Sequence, residues 1–288
     1  MIMKKTGRKV VMQGFRGSYH EIAARRYFGA EIEVVPCLTF DEMFKMMEMD
    51  RTLSGIVAIE NTVSGSILPN YTLIKDSGTF VSGECKLRIS MNLLAFPGQV
   101  IDDILEVRSH QLALLQCKDF FTNFPSIRLI DAVDTALSAK EISETGLLGS
   151  GVVASKLAAE LYGLEILAEG IESNKRNFTR FLILEPKGDN SRRELKVRDG
   201  INKASIVFKL PHRKGTLVEL LSVFSENGCS LTTIQSNPIL GSEWEYLFYA
   251  DMLFDSYEQY QNAIAKASPL CSELGIIGEY MEGKVFMD

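Results

Sequence analysis

Residues 185–200, EPKGDNSRRELKVRDG, break the texture of the chain. The stretch is charged, carries a Pro and two Gly, and has almost no apolar residues to bury. Such a segment reads as a linker, placed here at 186–202. On its N-terminal side, β-rich runs alternate with helical spacings. RKVVMQG is followed by SYHEIAARRYF, where Ser18 and Glu21 have the spacing of a capping box. EIEVVPC precedes TFDEMFKMMEM, and GIVAIEN precedes a loop and SILPNYTLIKDSG, a helix if Pro69 sits in its first turn. Residues 79–96 read as one long or two successive strands. Alternation resumes through ILEVRSH, QLALLQCKDFFTNF, SIRLIDA, DTALSAKEISETG, GVVAS, KLAAELYG and LEILAEGI. It closes on NFTRFLIL (177–184), a buried-strand pattern with three strong hydrogen-bonding side chains at its mouth. This order implies α/β layers with largely parallel sheets. About 180 residues in this style fit two small lobes, with ligands beyond the C-terminal strand ends.

On the C-terminal side the elements are short and regular. KASIVFKL is a strand. TLVELLSVFSENG is a helix with Leu217, Leu220, Leu221 and Phe224 on one face and Gly228 as its stop. LTTIQSNP and EWEYLFYADM are strands, SYEQYQNAIAKAS a helix and GIIGEYME a strand. The order βαββαβ is the ferredoxin-like split motif. The expected organisation is residues 1–185 as two α/β lobes (about 8–84 with 171–185, and 85–170), the linker, and 203–288 as a second domain.

The bulk properties agree. A chain of 288 residues has room for about two domains. Its net charge of −6, with both signs interspersed, argues against nucleic acid as the main partner. The N-terminus lacks the apolar core of a secretory signal, and no run approaches a membrane span, so a cytoplasmic protein is expected. Five scattered Cys without CxxC read as reduced thiols. The three His lack zinc-ligand spacing, so no metal is expected.

Four polar clusters fall where strands end: Gly14 to Ser18, Glu60 to Ser66, Ser109 with His110, and Asn177 to Arg180. They share amides and hydroxyls and hold few carboxylates, the make-up of an anion pocket. Each also has a plain reading. GFRGS serves as a tight turn into a helix cap, ENTVSGS as an Asx-rich loop, His110 as a satisfied surface partner and NFTR as a strand entry. There is no GxSxG, no local Cys–His pair, no GxGxxG and no Walker loop.

NFTRFLIL resembles the Asn-x-Thr-Arg-Phe motif of prephenate dehydratases, and the resemblance spreads over nearly the whole chain. GFRGSYHEIAARRYFG is similar to that family's opening segment. GIVAIENTVSGSI is similar to its PIENS…GS loop, with Ala58 in place of Pro and Thr62 in place of Ser. SHQLALLQC resembles SHPQALAQC without the Pro-Gln, and VVASKLAAELYGL resembles AIASxxAAxxYGL. Ser173 replaces an acidic or amide residue before the motif. The resemblance implies a periplasmic-binding-protein-like catalytic region followed by an amino-acid-binding ACT domain. It implies decarboxylating dehydration of prephenate to phenylpyruvate, without cofactor, in phenylalanine biosynthesis. Thr179 is then the catalytic donor to the departing ring hydroxyl. Asn61, Thr62, Ser66, Ser109, His110 and Asn177 are candidate substrate contacts. So are Phe181, for the ring, and Arg180, which either binds a carboxylate or locks the loop.

The ACT resemblance implies phenylalanine as effector and a homodimer or homotetramer with paired ACT sheets. Its GAL turn reads here Gly215, Thr216, Leu217. Its ESRP strand end reads Gln235, Ser236, Asn237, Pro238, with neutral amides replacing Glu and Arg and Thr233 at a basic position. Two rivals remain open: the same fold acting on arogenate, and a non-catalytic small-molecule sensor carrying an ACT domain.

Overall fold

The computed structural model describes residues 7–187, 200–239, 241 and 245–287. Residues 188–199 of the expected linker and Glu243 and Trp244 of the strand expected over 243–252 lie outside them, as do residues 1–6 and 288 at the edges of the two expected domains. In chain order the elements begin with β1 (Lys9–Gln13), α1 (Tyr19–Phe28), β2 (Glu33–Cys37), α2 (Phe40–Met49), β3 (Ser54–Asn61) and β4 (Gly65–Ser66). Then come α3 (Leu68–Asp76), β5 (Thr79–Arg88), β6 (Asn92–Ala95), β7 (Glu106–His110), α4 (Gln111–Gln116), α5 (Lys118–Phe121) and β8 (Arg128–Ala132). Next are α6 (Thr135–Thr145), β9 (Ser150–Ala154), α7 (Lys156–Tyr162), β10 (Glu165–Ala168) and β11 (Phe178–Pro186). The series ends with β12 (Lys203–Lys209), α8 (Thr216–Glu226), β13 (Ser230–Pro238), β14 (Tyr246–Leu253), α9 (Tyr257–Ala267), β15 (Glu273–Tyr280) and β16 (Val285–Phe286).

Contacts divide the chain into two compact units. Met1–Ser66, Lys86–Phe181 and Val285–Asp288 form one; Ile67–Cys85 and Leu182–Lys284 form the other. Strands β5 and β11 therefore each contribute to both.

The first unit holds two sheets. In one, β1 lies between β2 and β3, all parallel. In the other, the order is β10-β6-β9-β7-β8. There β7 runs parallel to β8 and β9, while β6 pairs antiparallel with both β9 and β10. Side chains cap the helix starts: Thr39, Asp134 and Ser155 accept the backbone N–H three residues on. Ser18 does the same for Glu21 N, but only half of the expected capping box forms. The Glu21 carboxylate reaches Gly17 N at 2.8 Å instead of Ser18 N, and it pairs with Arg25 at 2.7 Å. The helix expected over 111–124 splits at Cys117, where φ −102° and ψ 10° leave the α region.

The second unit contains the βαββαβ order, β12-α8-β13-β14-α9-β15, with sheet order β13-β14-β12-β15. Phe208, Leu220, Phe224, Met252, Tyr260 and Ala263 make its core. Leu220 and Phe224 are buried and Leu217 and Leu221 half-buried, so the predicted helix face holds. Strand β5 joins β15 in parallel, with Val81 opposite Gly278. The approach is close enough that a Cβ on Gly278 would overlap the Val81 carbonyl, and one on Gly283 would lie 2.6 Å from Glu84 Cγ. Only glycine allows it. Beside this contact Lys203 Nζ donates to both Glu84 oxygens at 2.9 and 3.0 Å, and Gly283 N donates to Oε1 at 3.0 Å. Lys203 and Glu84 are 2% and 1% exposed, so this is a fully desolvated ion pair.

Candidate active site

The motif residues enter on β11 directly beside the end of β3. Thr62 N donates to Phe178 O at 2.9 Å, Phe178 N donates to the Thr62 hydroxyl at 2.9 Å, and that hydroxyl donates to Arg176 O at 2.8 Å. Thr62 thus clamps two loops together, and its single proton is given to the backbone.

Asn61, the last residue of β3, is the hub. Its Oδ1 accepts from Val63 N and Ser64 N, both at 2.9 Å. That fixes the amide so that Nδ2 faces β11. Its two protons are shared among Asn177 Oδ1 at 2.8 Å, Thr179 Oγ1 at 3.0 Å and Phe178 O at 3.2 Å. Asn177, 1% exposed, donates onward to Gln116 Oε1 at 2.8 Å, and Gln116 Nε2 donates to Ser64 Oγ at 2.9 Å. The ring Asn61–Asn177–Gln116–Ser64 is thus made wholly of amides and a hydroxyl. Thr179 hangs from it, half-buried, its oxygen accepting from Asn61. No described residue accepts the Thr179 hydroxyl proton.

A cavity of about 370 Å³ opens beside the ring, lined by Val63, Ser64, Leu112, Leu115, Gln116, Glu172, Ser173, Asn174 and Asn177. Thr179, two residues beyond Asn177, is not among its lining residues. Glu172 anchors the loop that leads into the motif. It is 1% exposed, accepts from Met91 N at 2.9 Å and pairs with Arg88 at 3.1 Å. Ser173 donates its backbone N–H to Gln116 O at 2.7 Å.

Strand alternation sorts the rest of the motif. Arg180 points away from Thr179, 4% exposed, with its guanidinium 4.0 Å from the Glu60 carboxylate. Phe181 shares the Thr179 face but lies in the core, 1% exposed, packed edge-on against His20 at 5.0 Å. Ser66 is half-buried in β4, opposite Glu60. Ser109 is fully buried and donates to Val153 O at 2.7 Å, so its hydroxyl is committed to the sheet. His110 is exposed, its Nδ1 capping α4 through Leu112 N at 3.2 Å.

The glycine loop also meets a strand end. Ser155 Oγ donates to Gly17 O at 2.5 Å. Gly17 has φ +87°, and a Cβ there would sit 2.9 Å from Ala158 Cα, so no other residue fits this loop. Asp134, near both His110 and Gly14, has its carboxyl pushed up by burial against the downward pull of the α6 backbone N–H groups. The four clusters therefore do not all present free donors. Glu60–Ser66 and Asn177–Arg180 interlock, while Gly14–Ser18 and Ser109–His110 are largely satisfied by the chain. Gln116 and Glu172 were not singled out in the sequence. For Gln116 the available signal was its place at the end of SHQLALLQC.

In the second unit Gly215 caps α8 with φ 86°. Thr216 is buried with its hydroxyl 3.1 Å from Arg213 O, and Leu217 packs on the core. On β13 the side chains alternate, Gln235 and Asn237 half-buried, Ser236 and Pro238 exposed. Asn237 donates to Thr72 Oγ1 at 3.2 Å.

Comparison with known proteins places this geometry. The family model for prephenate dehydratase matches residues 10–189, well over half of the chain. Arogenate dehydratase/prephenate dehydratase 2 of Arabidopsis thaliana is 35% identical over 285 residues, covering 94% of this chain and 72% of that protein. A prephenate dehydratase from Arthrobacter aurescens, solved in complex with L-Phe, superposes with a TM-score of 0.84 at 25% identity, covering 95% of this chain and 90% of that one. A structure described as GqqA, a novel type of quorum quenching acylase, superposes with a TM-score of 0.86 at 26% identity, covering 96% and 98%. The family match embraces both partners of the central contact, Asn61 on β3 and Thr179 on β11, and the chain belongs to the prephenate dehydratase family.

Proposed function

We propose that this protein converts prephenate to phenylpyruvate, acting as a carbon–oxygen lyase with Thr179 as the leaving-group donor. One carboxylate departs as carbon dioxide, its bonding electrons complete the aromatic ring, and the ring hydroxyl departs as water after gaining a proton. Aromatisation supplies the driving force, so no cofactor is called for. What the site must supply is a donor at the departing oxygen, because hydroxide leaves poorly and water easily. The observation that carries this reading is the Asn61–Thr179 bond. Accepting from Asn61 at 3.0 Å polarises the Thr179 hydroxyl and leaves its own proton to be given away. A ring of amides around it adds no negative charge against a dianionic substrate.

The same neighbours argue against amide hydrolysis, the activity in the name of one structural relative. A nucleophilic hydroxyl needs a base beside it, and Asn61 and Asn177 cannot take a proton. Asn177 and the Gln116–Ser64 pair are the proposed substrate-facing donors beside the cavity. Thr62, Arg180 and Glu172 hold the loops. Ser66 and His110 are proposed as further substrate contacts, Ser109 as a strut tied to Val153 O, and Phe181 as support beneath Thr179.

Residues 1–185 are proposed as the catalytic domain and 203–288 as an ACT regulatory domain. Phenylalanine, the ligand in the Arthrobacter structure, is the proposed effector, held by the Gly215–Leu217 turn and the Gln235–Pro238 strand end between ACT domains of a cytoplasmic homo-oligomer. No described helix is long and apolar enough to cross a membrane.

Purified protein should release phenylpyruvate from prephenate, with arogenate run in parallel because the Arabidopsis relative is named for both. Absence of product from either substrate would end the lyase reading. Turnover should also fall as free phenylalanine is added. A flat response up to about millimolar effector removes the feedback assignment, since a coupling of even 1–3 kcal/mol changes affinity 5–150-fold.

A further inference from the structure

The cavity beside the amide ring has two unlike walls. One is apolar. Leu112 and Leu115 stand three residues apart on α4 and so share a face. The helix buries Ala113 and Leu114, while Leu112 and Leu115 stay 47% and 60% exposed and line the cavity together with Val63. The similar family segment, SHPQALAQC, has Gln and Ala at these two positions, so the leucine wall is this chain's own. The other wall is polar and has a fixed sense. Two backbone N–H groups hold Asn61 Oδ1, so Asn61 donates to Asn177 Oδ1, Asn177 to Gln116 Oε1, and Gln116 to Ser64 Oγ. Every side-chain oxygen in that row already accepts. No described residue accepts the second amide proton of Asn177, the second amide proton of Gln116 or the Ser64 hydroxyl proton. The row therefore offers donors, and bonds aligned in one direction strengthen one another.

We infer that Leu112, Leu115 and Val63 are specificity-determining contacts for the ring of the substrate, and that Ser64, Gln116 and Asn177 give their remaining protons to its carboxylate oxygens. The ligand class is a carboxylic acid bearing an unsaturated six-membered ring. Phe181, expected at the ring from the sequence, is packed in the core and leaves that contact to be filled. The cavity, about 370 Å³, has the size of a small-molecule site. A ring laid on the leucines takes their exposed surface out of water. The oxygens meet donors and no free carboxylate, because Glu172, the one ionisable group on the lining, is already paired with Arg88.

The inference rests on the lyase reading for the identity of the substrate, and its tests keep the two apart. Leu112→Gln with Leu115→Ala should raise KM for prephenate about 10-fold or more, with kcat within about 2-fold, because an apolar ring contact is made alike in ground and transition states. Phenylpyruvate should inhibit the wild type about 10-fold more tightly than pyruvate, the same keto acid without a ring, and the double variant should lose most of that preference. Carbon-13 methyl NMR of the wild type should show ring-current shifts at Leu112, Leu115 and Val63 with phenylpyruvate and none with pyruvate. An unchanged KM, an unchanged preference or the absence of those shifts each overturns the inference. So does a change of oligomeric state in the double variant on size exclusion, which would make the leucines subunit contacts. A wild type without turnover ends the lyase reading alone. The methyl shifts need no turnover, and they still decide whether the cavity takes a ring-bearing acid, even if the double variant fails to fold.

Discussion

Thr179→Val should lower the rate of phenylpyruvate formation by about 10²–10³, while Thr179→Ser keeps measurable turnover. Val matches Thr in shape and removes only the hydroxyl, so folding and the β3–β11 pairing should persist. What disappears is one hydrogen bond to an oxygen that gains charge as the carbon–oxygen bond breaks. Losing a single such donor costs about 2.7–4 kcal/mol of transition-state stabilisation in well-studied cases. Ser restores the donor but not the γ-methyl, so its hydroxyl samples more rotamers and some rate is lost. The deficit should sit in kcat, because the bond strengthens in the transition state and contributes little to ground-state binding. Steady-state kinetics on prephenate decide it. Equal turnover in the Val and Ser variants would mean that the hydroxyl is not the donor.

The second large effect lies in the other unit. Lys203→Ala should reduce unfolding free energy by about 3–5 kcal/mol, the usual cost of stripping one partner from a buried pair. Glu84 would keep Gly283 N at 3.0 Å but lose the cation whose nitrogen touches both its oxygens. With Glu84 at 1% exposure, water cannot replace the ammonium. The attraction between the partners is not itself a gain of that size, because both charges were taken out of water to make it. Glu84→Gln with Lys203→Met should therefore lie within about 1–2 kcal/mol of the parent, since Gln still accepts from Gly283 and no charge is left uncompensated. Denaturant unfolding of the three variants tests this. A Lys203→Ala protein as stable as the parent would show that the pair is hydrated in solution.

Much of the architecture was legible because its signals are local. Ser18, Thr39, Asp134, Ser155 and Ser256 mark helix starts, and Gly146 and Gly163 end helices in the left-handed conformation. The βαββαβ order after residue 202 followed from short alternating runs. What stayed hidden depends on contacts distant in sequence. Glu21 was read as an N-cap partner, but its carboxylate is shared between Gly17 and Arg25. Nothing local announces that Cys117 leaves the helical region, or that the last short strand, Val285–Phe286, pairs with Lys86 and Leu87. In the site, Asn61 and Thr179 were recognisable as motif members. Their bond spans 118 positions of chain, and the Gln116 link to Asn177 spans 61. Ser109 and Thr62 were read as free donors because a hydroxyl at a strand end does not reveal which carbonyl it will meet. Only the folded chain shows that both are already engaged.

The way the tail lies along β5 bears on how the protein can be cut. A fragment ending near residue 185 contains all of the Asn-x-Thr-Arg-Phe motif, and its sequence gives no warning against making it. Such a truncate would discard Gly278, Gly283, Val285 and Phe286, the residues that line one border of that strand from Val81 to Leu87. It would leave a row of bare amides and carbonyls, with the Glu84 carboxylate in their midst stripped of Lys203 and Gly283, as an invitation to self-association. Dissecting catalysis from regulation in this protein is better done by point substitution than by scissors.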